Sequence, residues 1–155
     1  MRTILAAIVI CGLAAVAANP PGYEHWTAAS LRAYSKKLVP KMDPKLKLSV
    51  EQLGKFGNHS FMVAHREADG EAELHDTQAD VFVVQSGEAN FVVGGTVQNP
   101  KTTEPGEVRG TSIQGGQRTR LGAGDIVHIP AKVAHQVLVE PGKQFTYFIV
   151  KIDTP

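Results

Sequence analysis

Two stretches of the chain gather side chains that can hold a metal or move a proton. The first runs Glu73-Leu74-His75-Asp76-Thr77-Gln78-Ala79-Asp80 into the apolar run Val81-Phe82-Val83-Val84 and on to Gly87. The second runs from Gly124 through Pro130 to His135. On a β-strand, residues two apart point to the same side, so Glu73 and His75 can face one interior point. Phe82 and Val84 share the parity of Asp80 and would wall that point with apolar surface. Two imidazoles and two carboxylates brought together suit a borderline-to-hard divalent ion such as Mn, Fe, Ni or Zn, whose charge would cancel that of the carboxylates. Without an ion, two carboxylates converging in an apolar interior repel each other and lose water, so at least one would take up a proton.

The two stretches resemble the paired motifs of the cupin superfamily, usually written H-x-H-x(3 or 4)-E-x6-G and G-x5-P-x-G-x2-H-x3-N. Asp80 stands before Gly87 where the family has Glu, His75 stands at the second His, and Glu73 takes the place of the first. Gly124, Pro130 and His135 match the second motif at full spacing, with Lys132 for its Gly and Val139 for its Asn. The resemblance spans roughly residues 48–152 and implies a small jelly-roll barrel holding one divalent metal on Glu73, His75, Asp80 and His135. Asp80 is shorter than Glu by one methylene, on the order of 1.5 Å. It is therefore expected to reach the ion through water unless the backbone moves inward, leaving Glu73, His75 and His135 as a two-His, one-carboxylate set.

Each of these residues has a plainer reading. Glu73 follows Glu67, Asp69 and Glu71 and can belong to a solvated acidic loop, and either histidine alone can be a hydrogen-bonded core residue. Two histidines at motif spacing favour ligation. His65 and His128 are not expected to ligate: His128 should pack or hydrogen bond on its strand, and His65 can line the cavity mouth.

The elements that must position these groups are β-type. Short runs at 48–53, 60–66, 81–85, 89–93, 126–129, 135–139 and 145–152 are separated by Gly, Asn and Pro, with no helix between them. That pattern predicts an all-β fold, a single jelly-roll barrel, over a βαβ sheet. Ahead of it, residues 19–46 read as a Pro-rich arm and a short amphipathic helix over 27–38, with Leu31, Tyr34 and Leu38 on one face, lying across the outside of the barrel. Residues 47–155 form the barrel domain. Residues 94–124, with Pro100, Pro105 and several glycines, read as a decorated loop or an extra hairpin.

At 155 residues the chain has room for one core. Residues 1–18 have one Arg, an apolar run from Ile4 to Val16, and small residues at Ala15 and Ala17, the layout of a secretory signal peptide. The run is shorter than the roughly 20 residues needed to span a bilayer. Export to the periplasm or the extracellular space is expected, with no membrane attachment after cleavage. Cys11 lies inside the leader behind Ile10, where a lipoprotein signal would need a small residue, so the mature chain would have no cysteine and no disulfide. Removing Arg2 with the leader leaves basic and acidic residues equal in number, and there is no basic stripe for nucleic acid.

The expected partner is a small-molecule ligand or substrate, and a homodimer is compatible with the sequence. The first functional reading is a metal-dependent enzyme acting on a small polar molecule; the resemblance admits dioxygenases, isomerases, decarboxylases and lyases, and fold does not choose among them. The second is a non-catalytic barrel that binds a sugar or an organic acid, and the third is a structural barrel with a vestigial site. Candidates for a non-ligand acid or base are His65, Tyr147 and whichever carboxylate does not bind the ion.

Overall fold

The computed structural model describes residues 18–155, so the signal-peptide reading lies almost wholly outside the described residues. No described helix is long and apolar enough to cross a membrane. After an irregular arm, α1 (Ala28–Lys37) starts at Thr27, whose side chain accepts from the Ser30 amide, and ends in Lys36 and Lys37. The helix packs against the outer surface of the barrel. Leu38 at its end is fully buried, and Glu51 accepts from Lys37 at 2.6 Å and Lys41 at 2.8 Å. The arm is held by Trp26, whose ring meets Phe61 and Phe148 at 5.1 and 5.9 Å.

The strands are β1 (Leu48–Phe56), β2 (His59–Arg66), β3 (Ala72–His75), β4 (Gln78–Val93), β5 (Thr96–Gln98), β6 (Lys101–Glu104), β7 (Glu107–Gly110), β8 (Ser112–Gln114), β9 (Gln117–Gly122), β10 (Ile126–Ile129), β11 (His135–Leu138) and β12 (Phe145–Asp153). Ten of them form one curled antiparallel sheet in the order β1-β2-β12-β4-β11-β3-β7-β6, with β9 and β10 also on β4; β5 and β8 pair with each other. This is an all-β jelly roll. Its core gathers Phe82, Phe91, Phe145, Tyr147, Ile149, Leu121 and Ile129 on the inner face.

The runs at 81–85 and 89–93 are one strand. Residues 78–87 of β4 pair with β12 and residues 88–93 pair with β9, so β4 crosses from one half of the barrel to the other. Gly87, with φ 78°, sits at the crossing and pairs with Phe145, beside a register shift at which Thr146 faces Ser86 and Tyr147 faces Val84. The stretch 94–124 is not a loop or a single added hairpin. It contains β5 to β9, of which β7 pairs with β3 and β9 with β4, so it completes one wall of the barrel. Four consecutive residues of β6 are exposed, and no apolar alternation advertises this edge in the sequence.

Lys132, which stands where the family motif has Gly, has φ 65°, a conformation that a side chain makes costly. Its amide donates to the His75 carbonyl at 2.7 Å, tying the second motif to the first. Lys132→Gly should therefore keep the fold and raise stability by up to about 1 kcal/mol, strain relief being partly offset by the freer unfolded chain. Thermal melting checks this, and a lower melting temperature would count against strain at this turn.

Candidate metal centre

Strand parity and pairing place the predicted residues together. Glu73 and His75 lie on β3, His135 on β11 opposite Glu73, and Asp80 on β4 opposite Ile129 and Lys151. Glu73, His75 and His135 each present an atom within 4.8 Å of the others. The Glu73 carboxylate is 3.6 Å from His75 Nε2 and 3.9 Å from His135 Nε2. Asp80 Oδ2 is nearer to the same two nitrogens, at 3.3 and 3.5 Å. The Asp80 side chain is buried, but the cluster whose donor atoms all lie within 4.8 Å of one another is Glu73, His75 and His135, without Asp80.

Both imidazoles turn Nε2 to the centre because Nδ1 is engaged elsewhere. His75 Nδ1 pairs with Glu107 at 2.7 Å, and His135 Nδ1 lies 3.3 Å from the Val133 carbonyl. A ring nitrogen held by a carboxylate or carbonyl leaves the other as a lone pair aimed inward, the arrangement that metal-binding histidines use. His135 Nε2 is buried and has no hydrogen-bond partner among the described residues. The donor set fits a divalent ion on these grounds.

Three further residues at the centre were not read from the sequence. Arg109 on β7 meets Glu73 at 2.7 Å, and Glu107 on the same strand holds His75. Lys151 on β12 places Nζ 3.1 Å from both His75 Nε2 and Asp80 Oδ1. Signals existed: Glu107 and Arg109 are two apart, and Lys151 continues the inward parity of Tyr147 and Ile149. The first pair fell in the stretch read as a decorated loop or an extra hairpin.

Burial alone would raise the Glu73 carboxyl, but contact with His75 and the Arg109 cation hold it at about 2. Burial opposes charge on His75 too, yet Asp80 and Glu73 push it up to about 9. Burial keeps His135 below its ordinary value despite the pull of both carboxylates. A His75 protonated on both nitrogens has no lone pair for Lys151, so that contact belongs to the neutral imidazole.

A cavity of about 250 Å³ opens beside this centre, lined by Glu73, Asp80 and His135 together with Met62, Phe82 and Ile149. Tyr147 also lines it; burial raises its phenol, and the neighbouring Arg66 charge opposes the shift. His65 does not line it. It is buried with opposite parity to the lining residues Met62 and Ala64, and its Nδ1 lies 2.8 Å from Thr146 Oγ1. His128 is exposed on β10.

No protein-family model and no curated protein matches the chain. Solved structures do. A double-stranded β-helix protein of Klebsiella pneumoniae is 17% identical over 77% of this chain and 86% of its own, with a TM-score of 0.53. The cupin-2 domain protein of Rhodospirillum rubrum is 12% identical over 68% of this chain and 60% of its own, with a TM-score of 0.51. The chain has the cupin fold. A DMSP lyase of Ruegeria pomeroyi is similar in the same way, 16% identical over 72% of this chain and 51% of its own, with a TM-score of 0.52. At such identities the likeness is of the cupin barrel itself, and function must be argued from the site.

Proposed function

We propose that this cupin barrel binds one divalent ion, Mn, Fe, Ni or Zn, through Glu73, His75 and His135 with Asp80 as a fourth donor, and acts as an enzyme on a small polar molecule in the adjoining cavity. The observation that carries this reading is the buried His135 Nε2. Arg109 and Lys151 already answer the two carboxylates, but among the described residues no hydrogen-bond partner answers this lone pair. An ion held there would polarise a ligand oxygen as a Lewis acid. The protein's part is to orient the imidazoles through Glu107 and the Val133 carbonyl, to shield the site with Phe82 and Ile149, and to hold a movable proton on Lys151 or Tyr147. The lyase among the solved structures supports chemistry on a small molecule in such a barrel without naming the reaction. Export rests on the pattern of residues 1–18 and is proposed with it.

Lys151 favours a second reading, a metal-free binding barrel in which its ammonium serves as the cation. Elemental analysis of the purified chain separates the two. The metal reading expects about one ion per chain and a gain in melting temperature on adding the ion. It also expects Glu73→Gln and Asp80→Asn to weaken metal affinity by similar factors, because both oxygens lie within 4 Å of both imidazoles. A loss confined to Glu73→Gln would make Asp80 a partner of Lys151 only. No stoichiometric ion and no thermal response would leave the second reading.

A further inference from the structure

Among the described residues that line the cavity, Arg66 is the one cation that the site does not account for. It ends β2 with the inward parity of Met62 and Ala64, lines the cavity, and is only 5% exposed. Among the described residues no carboxylate comes within 4.0 Å of it, whereas Arg109 and Lys151 are both paired with acids. Its Nε is buried with no hydrogen-bond partner. Glu71 lines the same cavity but is exposed and unpaired with it. The Tyr147 phenol beside Arg66 is neutral, and burying a guanidinium without a counter-charge is costly, a cost removed when an anion with matching geometry arrives.

Gly70 gives the same group its space. A Cβ on Gly70 would lie 2.9 Å from the Arg66 guanidinium carbon, and the Gly70 backbone is not in the left-handed region that calls for glycine. The missing side chain therefore serves Arg66 and not a turn. The Gly70 amide donates to the Val137 carbonyl at 2.8 Å, two residues along β11 from His135. Gly70 thus lies against β11 two residues, about 7 Å of strand, from His135.

We propose that the cavity ligand is a small organic acid whose carboxylate pairs with Arg66 while a second oxygen-bearing group faces Glu73, His75 and His135. The volume supports a short chain: about 250 Å³ lies at the small end of ligand cavities, which run roughly 300–1,000 Å³. Met62, Val137 and Ile149 supply an apolar wall for the carbons between the two polar ends. This assignment rests on the reading of the cavity as a small-molecule site, and it names the class of molecule.

The test is calorimetric titration of the full chain, metal-free and metal-loaded, with propionate, malonate, succinate and glutarate, each against its neutral amide. Wild type should prefer at least one acid to its amide. Arg66→Met should weaken that acid by about 10- to 100-fold, the loss expected for a charge-assisted pair, while the bound ion stays at the wild-type level. The ligand-free variant should also melt higher than wild type, because an unpaired buried charge is replaced by an apolar chain. Should Arg66→Met fail to fold, Arg66→Lys carries the test. It keeps the charge but loses the two-pronged geometry, and its acid affinity should fall by about tenfold.

No preference for acid over amide in wild type, or unchanged acid affinity in the variant, overturns the proposal. Metal uptake without acid binding removes the acid assignment and leaves the metal centre standing. Acid binding lost in Arg66→Met, with no metal uptake in wild type, does the reverse.

Discussion

His135→Ala should lower bound divalent metal from about one ion per chain to near none and abolish the rise in melting temperature on adding the ion. The lost imidazole is buried, and its Nε2 faces both carboxylates at 3.5 and 3.9 Å with no hydrogen-bond partner among the described residues. Removing a group that only orients a ligand weakens binding by about 10- to 100-fold, so loss of a ligand itself should exceed that. At a hundred to a thousand times the dissociation constant, the ion adds about 3–4 kcal/mol to stability, and the variant should show none of it. The fold should persist, since Val137 and Val139 still pack into the core. Metal analysis with thermal melts at matched concentrations decides the matter. A variant that keeps its ion would make His135 a core histidine and the second motif a coincidence.

Gly87→Ala should be the most damaging single-methyl change in the barrel. The glycine has φ 78°, and an added Cβ would stand 1.9 Å from the Gln144 carbonyl oxygen, a backbone atom that cannot swing aside. The left-handed conformation costs about 1–2 kcal/mol for a side chain, and forcing the backbone apart adds about 1–3 kcal/mol. A loss of about 2–5 kcal/mol is a large share of the 5–15 kcal/mol typical of a domain, and the melting temperature should fall by roughly 10–20 °C. Gly122→Ala is the control: it has no left-handed φ and nothing within 4 Å of its Cβ, and it should melt within a few degrees of wild type. Equal melting of the two variants would mean that β4 does not turn its corner at Gly87.

The motif glycine and the motif lysine carry the same lesson. Gly87 was visible in the sequence as a spacing marker, and the structure gives its reason, a bend inside one long strand that the sequence showed as two. Lys132 was visible as a departure from the family motif, and the left-handed turn shows why the family has glycine there. The reading of 94–124 as a decorated loop or an extra hairpin covered only the β6–β7 pair, because β6 is exposed along its whole length and β7 and β8 are short, so no period-two apolar signal exists to be read.

What the sequence by itself determined was the local part: an all-β chain with one helix, the shared side of Glu73 and His75, and two histidines at motif spacing. These follow from strand periodicity and from residue type, both written within a few positions. Only the tertiary structure decided what stands around them. Lys151 reaches Asp80 across 71 positions and His75 across 76, and His65 finds Thr146 across 81. Such contacts depend on which strands pair and in what register, and register is set by the whole core at once. The reach of Asp80, the guard of Arg109 over Glu73 and the unpaired charge of Arg66 are all properties of the closed barrel, because each is a distance between strands far apart in the chain.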